Sequence, residues 1–160
     1  MKWVLFMLVM APIFLLFSAW NHDEYIQTKL RAELKEGMDL ATHDAALQVN
    51  KVQREMGDIQ FVREDAERAL LASMERTFKL DDQLQPLTSS VWKSKFEVVS
   101  LQYVETGSFP QNYNSGPPYY YIDLLRGPSV IAIVKVEHPR YYGVSDHFSY
   151  IVGSSHEYIP

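Results

Sequence analysis

The apolar and polar positions of this chain divide it at Trp20. From Trp3 to Trp20 (WVLFMLVMAPIFLLFSAW) eighteen residues pass without a charge, and Lys2 is the only charged side chain before Asp23. Beyond that point the pattern becomes amphipathic. Ile26, Leu30, Leu34, Met38, Ala41 and Ala45 recur at steps of three and four, the spacing of one helix face. Glu24, Lys29, Arg31, Glu33, Lys35 and Glu36 occupy the other face. This predicts a helix over 21–56, continuous with the apolar run, with Gly57 as its C-terminal cap. Ile59 to Val62 reads as briefly extended. A second helix starts at Glu64 or Asp65, where a carboxylate offsets the free N–H groups of a first turn. Its stripe is Ala66, Leu70, Met74 and Phe78, and it stops near Leu80-Asp81-Asp82, ahead of Pro86.

The second half changes period. Lys95 to Glu105 (KFEVVSLQYVE) is β-branched and aromatic with partial alternation, the signature of a strand. Tyr119 to Leu125 and Ser129 to Glu137 read as two more, joined through Arg126-Gly127-Pro128, and Asp146 to Val152 as a fourth. Short connections favour antiparallel pairing. The predicted fold class is α+β: a long N-terminal helix, transmembrane then amphipathic, a second short helix, and a three- to four-stranded antiparallel sheet.

The apolar run, as a helix, is about 27 Å long, close to the roughly 30 Å of a bilayer's hydrocarbon core. Trp3 and Trp20 stand at its ends, where amphipathic rings favour the headgroups. Lys2 precedes it and Asn21-His22-Asp23-Glu24 follows, so the positive-inside rule places the N-terminus in the cytoplasm. Pro12 removes one helical hydrogen bond mid-span, which membranes accept when the freed group finds a partner. A cleaved secretory signal is the competing reading, but it asks for small residues where Phe17 stands. The expected organisation is a transmembrane anchor at 1–20, an amphipathic stalk at 21–56 and an extracytoplasmic α+β domain at 57–160. The expected location is the cell membrane, crossed once.

Composition narrows the chemistry. There is no cysteine, which removes disulfides, thiolate metal sites and cysteine nucleophiles. Net charge is −5 and there is no basic stripe, so nucleic acid is not an expected partner. Glycines form neither a dinucleotide nor a P-loop fingerprint, and there is no G-x-S-x-G elbow. Ser145-Asp146-His147 are neighbours in sequence, whereas a triad is assembled in space. His138, His147 and His156 follow one another nine residues apart, a spacing outside the usual metal-ligand pairs. His43-Asp44 has no second histidine at ligand spacing and reads as helix surface or interface. No catalytic residue, metal site or cofactor is expected.

Two features suggest contacts. Gly37, Ala41 and Ala45 are four apart, and a small residue on each turn lets another backbone come close. They would pack either against this domain's own sheet or against another subunit. Nine of the ten tyrosines lie beyond residue 100. Tyr113, Tyr119, Tyr120 and Tyr121 fall in or after a Pro/Gly/Asn-rich stretch (107–121), and Tyr141 and Tyr142 in another loop. Tyrosine is enriched at interfaces. These six would serve partly as core, and otherwise as a protein-contact or glycan-stacking surface.

The segments LKEGMDLATHDAALQV and MGDIQFVREDAERALLASM resemble N-terminally anchored proteins of the tight-adherence (TadE-like) and pilin-like kind. In these an alanine-rich helix is followed by a Gly-x-Ile turn and an acidic-capped second helix. The resemblance covers about half the chain. It implies a non-enzymatic subunit or accessory of a pilus-like, secretion or adhesion apparatus, associating with itself or with other pilin-like subunits. Type IV pilins place a glycine before their cleavage point and a glutamate early in the apolar helix. Here no glycine precedes Gly37 and the apolar run contains no glutamate, which favours an accessory over the major repeating subunit. An exported ligand- or cell-wall-binding or sensor domain is the alternative expectation.

Overall fold

A computed structural model describes residues 2–139 and 148–159. The chain is α+β. Helix α1 spans Lys2–Ala46, α2 spans Lys51–Glu55 and α3 spans Arg63–Phe78. Five strands follow: β1 Glu97–Val104, β2 Gln111–Asn114, β3 Ile122–Leu125, β4 Ser129–Glu137 and β5 Ser149–Glu157. A three-stranded antiparallel sheet has the order β1-β4-β5, and β2-β3 form a separate antiparallel hairpin.

α1 is one helix of 45 residues that continues through Pro12. It is long and apolar enough to cross a membrane, and almost none of its apolar half is buried by the rest of the protein. From Asp23 onward it enters the body. Leu30, Leu34, Met38, Ala41, Ala45 and Ala46 are buried, as the three-and-four spacing requires. The helix ends ten residues earlier than the sequence pattern predicts. Asn50 is the reason: its side chain accepts from the N–H groups of Val52 and Gln53 and starts α2 afresh. Val49 meanwhile bridges to Phe61, so 47–50 turns a corner. α3 opens with Glu64 and Asp65 in its first turn, where negative charge offsets the helix dipole. It closes on Lys79, in the left-handed region at φ 56°. Ser90 Oγ then donates to Phe78 O at 2.7 Å.

The core lies between α1, α3 and the near face of the sheet. β4 is central and buried on both sides. Val130, Ala132, Val134 and Val136 face the helices, while Ile131 and Ile133, equally buried, point the other way. Trp92 and Phe96, from the segment leading into β1, plug the core beside Phe78 and Tyr150.

Three strand expectations change. Tyr119-Tyr120-Tyr121 is not strand: β3 starts at Ile122, and Tyr120 sits at φ 50° in the turn before it. β2 lies inside the stretch read as loop. Its Asn-rich alternation, QNYN, gives little apolar signal, and pairing with β3 is what makes it a strand. β5 begins at Ser149 and runs to Glu157, five residues past the predicted end, because all nine residues pair with β4. The sheet is therefore three-stranded with an accessory hairpin.

Candidate functional site

β5 is an edge strand with a nearly polar second half, Gly153-Ser154-Ser155-His156-Glu157. Successive side chains alternate between faces, so even positions meet α1 and odd positions meet the hairpin. On the α1 side the contacts advance in step along both elements. Tyr150 Oη donates to Gln27 O at 2.9 Å. Lys35 Nζ donates to Gly153 O at 3.2 Å and to Asp39 Oδ1 at 2.5 Å. Ser154 Oγ donates to the same Asp39 Oδ1 at 2.5 Å and lies 2.9 Å from Thr42 Oγ1. His43 Nδ1 and His156 Nε2 are 2.8 Å apart, with the rings edge to face. α1 and β5 thus run in the same direction, joined by a polar seam.

The end of the seam nearer the apolar half of α1 is aromatic. Because Tyr150 gives its proton to Gln27, its oxygen accepts from His138 Nδ1 at 3.0 Å. Phe148 stacks on the His138 ring. Burial pushes the Tyr150 phenol up to about 12, so it is a neutral donor at any working pH. One turn before Gln27, Asp23 is only 2% exposed, and neither of its carboxylate oxygens has a hydrogen-bond partner.

On the far side of β5 the hairpin is clamped by tyrosines. Tyr121 lies flat on Gly153, where a Cβ would stand 2.3 Å from the ring. Its hydroxyl donates to Asp123 Oδ2 at 2.9 Å, and Ser155 Oγ donates to the same oxygen. Burial pushes Tyr121 up to about 12. Burial also pushes the Asp123 carboxyl up, but hydrogen bonds from Ser155, Tyr121 and the Leu124 N–H outweigh it and hold the group below its usual value. Tyr113 Oη donates to Gln102 Oε1 of β1 at 2.9 Å. Gly153→Val is therefore expected to lift the hairpin, at a cost of about 1–3 kcal/mol for overpacking. Limited proteolysis reads this directly, as faster cutting within 107–121 than in the unaltered protein.

The residues singled out from the sequence fall in different places. Gly37, Ala41 and Ala45 are buried within the chain itself. α3 is what comes close: a Cβ on Gly37 would stand 2.3 Å from the Phe78 ring and 3.0 Å from Thr77. Of the two expected packings the one within the chain is what the fold displays, and it already occupies the surface of these three residues. Tyr113 and Tyr121 are half-buried hairpin clamps, Tyr119 is half-buried and Tyr120 is 65% exposed. Tyr141 and Tyr142 lie outside the described residues. Of the three histidines nine apart, His138 and His156 sit at opposite ends of the seam, eight strand positions and so about 26 Å apart by strand rise, and His147 lies outside the described residues. Among the described residues no group of three metal-ligating side chains converges.

Tyr113 and Tyr119–121 do not line the hollows beside α3, between α1 and the start of β5, or beside β3 and the end of β5. One, of about 440 Å³, lies between α1 and the end of α3, with Phe78 and Trp92 as its floor and Glu33, Glu36 and Lys79 on its rim. Sequence reasoning missed the seam because its partners, such as His43 and His156, are 113 residues apart. The available signal was Thr42, a polar residue beside the apolar stripe.

Fold and site together define an α+β body fused to a helix long and apolar enough to cross a membrane. Comparison with protein-family models, with curated proteins and with solved structures gave no match to the chain.

Proposed function

We propose that the chain is a membrane-anchored, non-enzymatic interaction protein: a subunit or accessory of a surface assembly of the pilus-like, secretion or adhesion kind. It crosses the membrane once with its N-terminus in the cytoplasm and its body outside. The observation that carries this reading is the division of α1. Trp3, Met7, Leu8, Phe14 and Leu15 are well exposed, and the body offers them no cover. Thirty residues on, the same helix is core. Exposed apolar area of that extent asks for a bilayer, and one unbroken helix then ties bilayer to body. Lys2 stands directly before the run, whereas the first basic side chain after it is Lys29, nine residues past Trp20; this contrast is what the proposed orientation rests on. The layout of a long helix laid along a small antiparallel sheet supports the pilin-like comparison. The exported binding domain keeps one observation in its favour, the hollow floored by Phe78 and Trp92.

The test is recovery of the full-length protein from carbonate-washed membranes, with intact mass, native-gel mobility and digestion by protease added outside. Full mass, retention in the membrane, oligomers and a digestible body are expected. In Met10→Arg/Phe14→Arg, each arginine near the middle of the span costs about 3 kcal/mol of insertion, and retention in the membrane is expected to be lost. A shortened monomer in the medium would sink the anchor and make Trp3–Trp20 a signal.

A further inference from the structure

α1 is held to α3 by close apolar packing, but to the second half of β5 by hydrogen bonds. Past Val152 no large apolar side chain of β5 enters the core. Ser154 and His156 make the contacts there instead. We infer that His43 and His156 form a proton-operated latch on this strand. With one proton between the facing nitrogens the pair holds β5 to α1, and a second proton drives the rings apart and frees the strand's C-terminal half from α1.

The geometry sets the rule. At 2.8 Å between Nδ1 of His43 and Nε2 of His156, one nitrogen donates and the other accepts. Protonating both leaves N–H facing N–H and two cations in contact. The neighbouring charges do not relieve this. On α1, Asp39 already accepts from Lys35 and Ser154, and Asp44 is paired with Arg76 of α3 at 3.2 Å. On β5, Glu157 accepts from the N–H of Arg126. On the hairpin, Asp123 is held by Tyr121 and Ser155. Near α2, Arg54 meets the hydroxyl of Tyr158 at 3.4 Å.

Burial, and then His43, lower the His156 pKa; Asp39 and Glu157 pull the other way without reversing it. A folded-state value below the unfolded one means that the folded chain binds fewer protons. The stabilisation is complete above the ordinary histidine value of about 6.5 and is lost as pH falls through the folded value. The window from pH 7.5 to 5.0 brackets the ordinary histidine value and lies above the ordinary carboxylate values. The strand yields rather than the helix, because Gly37, Ala41 and Ala45 keep α1 fixed in the core.

The experiment is amide hydrogen exchange on the full chain in detergent micelles at pH 7.5 and 5.0, corrected for the intrinsic rate, with melting temperatures on the same samples. In the unaltered protein, protection over 154–157 is expected to fall in acid while protection in α3 holds. In His156→Gln, which can still hydrogen-bond but does not titrate, that acid-linked loss is expected to vanish. The unaltered protein's melting temperature should drop by roughly 2–4 °C more than the variant's. His43→Gln gives the same reading should His156→Gln fail to fold. Equal acid dependence in variant and parent, or protection over 154–157 that ignores pH, overturns the latch.

Discussion

Trp92→Ala is expected to destabilise the body by about 3–5 kcal/mol, the range for deleting a large aromatic side chain from a packed core. Trp92 is 2% exposed and touches three other rings: Phe78 and Tyr150 edge to face, and Phe96 in the same manner at 5.2 Å. Those rings come from α3, from β5 and from the segment entering β1. The indole is thus where helix layer and sheet meet, and no neighbour can close the void without leaving its own partners. The backbone N–H of Trp92 donates to Ser90 Oγ, which in turn donates to Phe78 O at the end of α3. That backbone link survives the substitution, so the cost should be one of packing alone. Urea unfolding in detergent, followed by far-ultraviolet circular dichroism, measures it. A loss below about 1 kcal/mol would falsify the central place given to this ring.

Gly37→Val is expected to be nearly as damaging, although on an isolated helix it would be mild or favourable. Glycine lowers helix stability by up to about 1 kcal/mol relative to alanine, so any replacement starts with a local gain. Here the first added carbon meets Phe78 at 2.3 Å. The Phe78 ring cannot withdraw, because it stacks on Phe96 at 5.0 Å and abuts Trp92. Overpacking a fixed core costs about 1–3 kcal/mol, and the branched valine reaches further than the single carbon. Gly37→Ala should lose less, and the order Gly, Ala, Val in unfolding midpoint is the check. If Val matches Gly, α1 does not approach α3 at this turn.

The helical half of the fold was legible because burial there repeats with the helix. Ile26 to Ala45 and Ala66 to Phe78 announce their faces, and the structure buries those faces. The breaks were harder to see. Asn50 starts a new helix through its own side chain, and nothing in the apolar spacing marks that. The strands were legible where both faces are apolar, as in β4, and were lost where polarity hid the period. Gly153 to Glu157 alternates not apolar with polar but one polar partner with another: helix on one side, hairpin on the other. The seam was hidden for the same reason. Spacing groups His156 with His138 and His147, while its contact is His43. The tyrosines divided by register. Tyr121 is a clamp because Gly153 leaves room for a ring, a pairing visible only once β5 lies over β3.

The shared direction of α1 and β5 has a mechanical consequence. No hinge or loop interrupts α1 between Lys2 and Ala46, so a pull between the two ends of the protein travels down one rod into the body. That pull lies along the seam, not across it. The bonds at Gln27, Lys35, Asp39, Thr42 and His43 are then sheared together and must yield as a group.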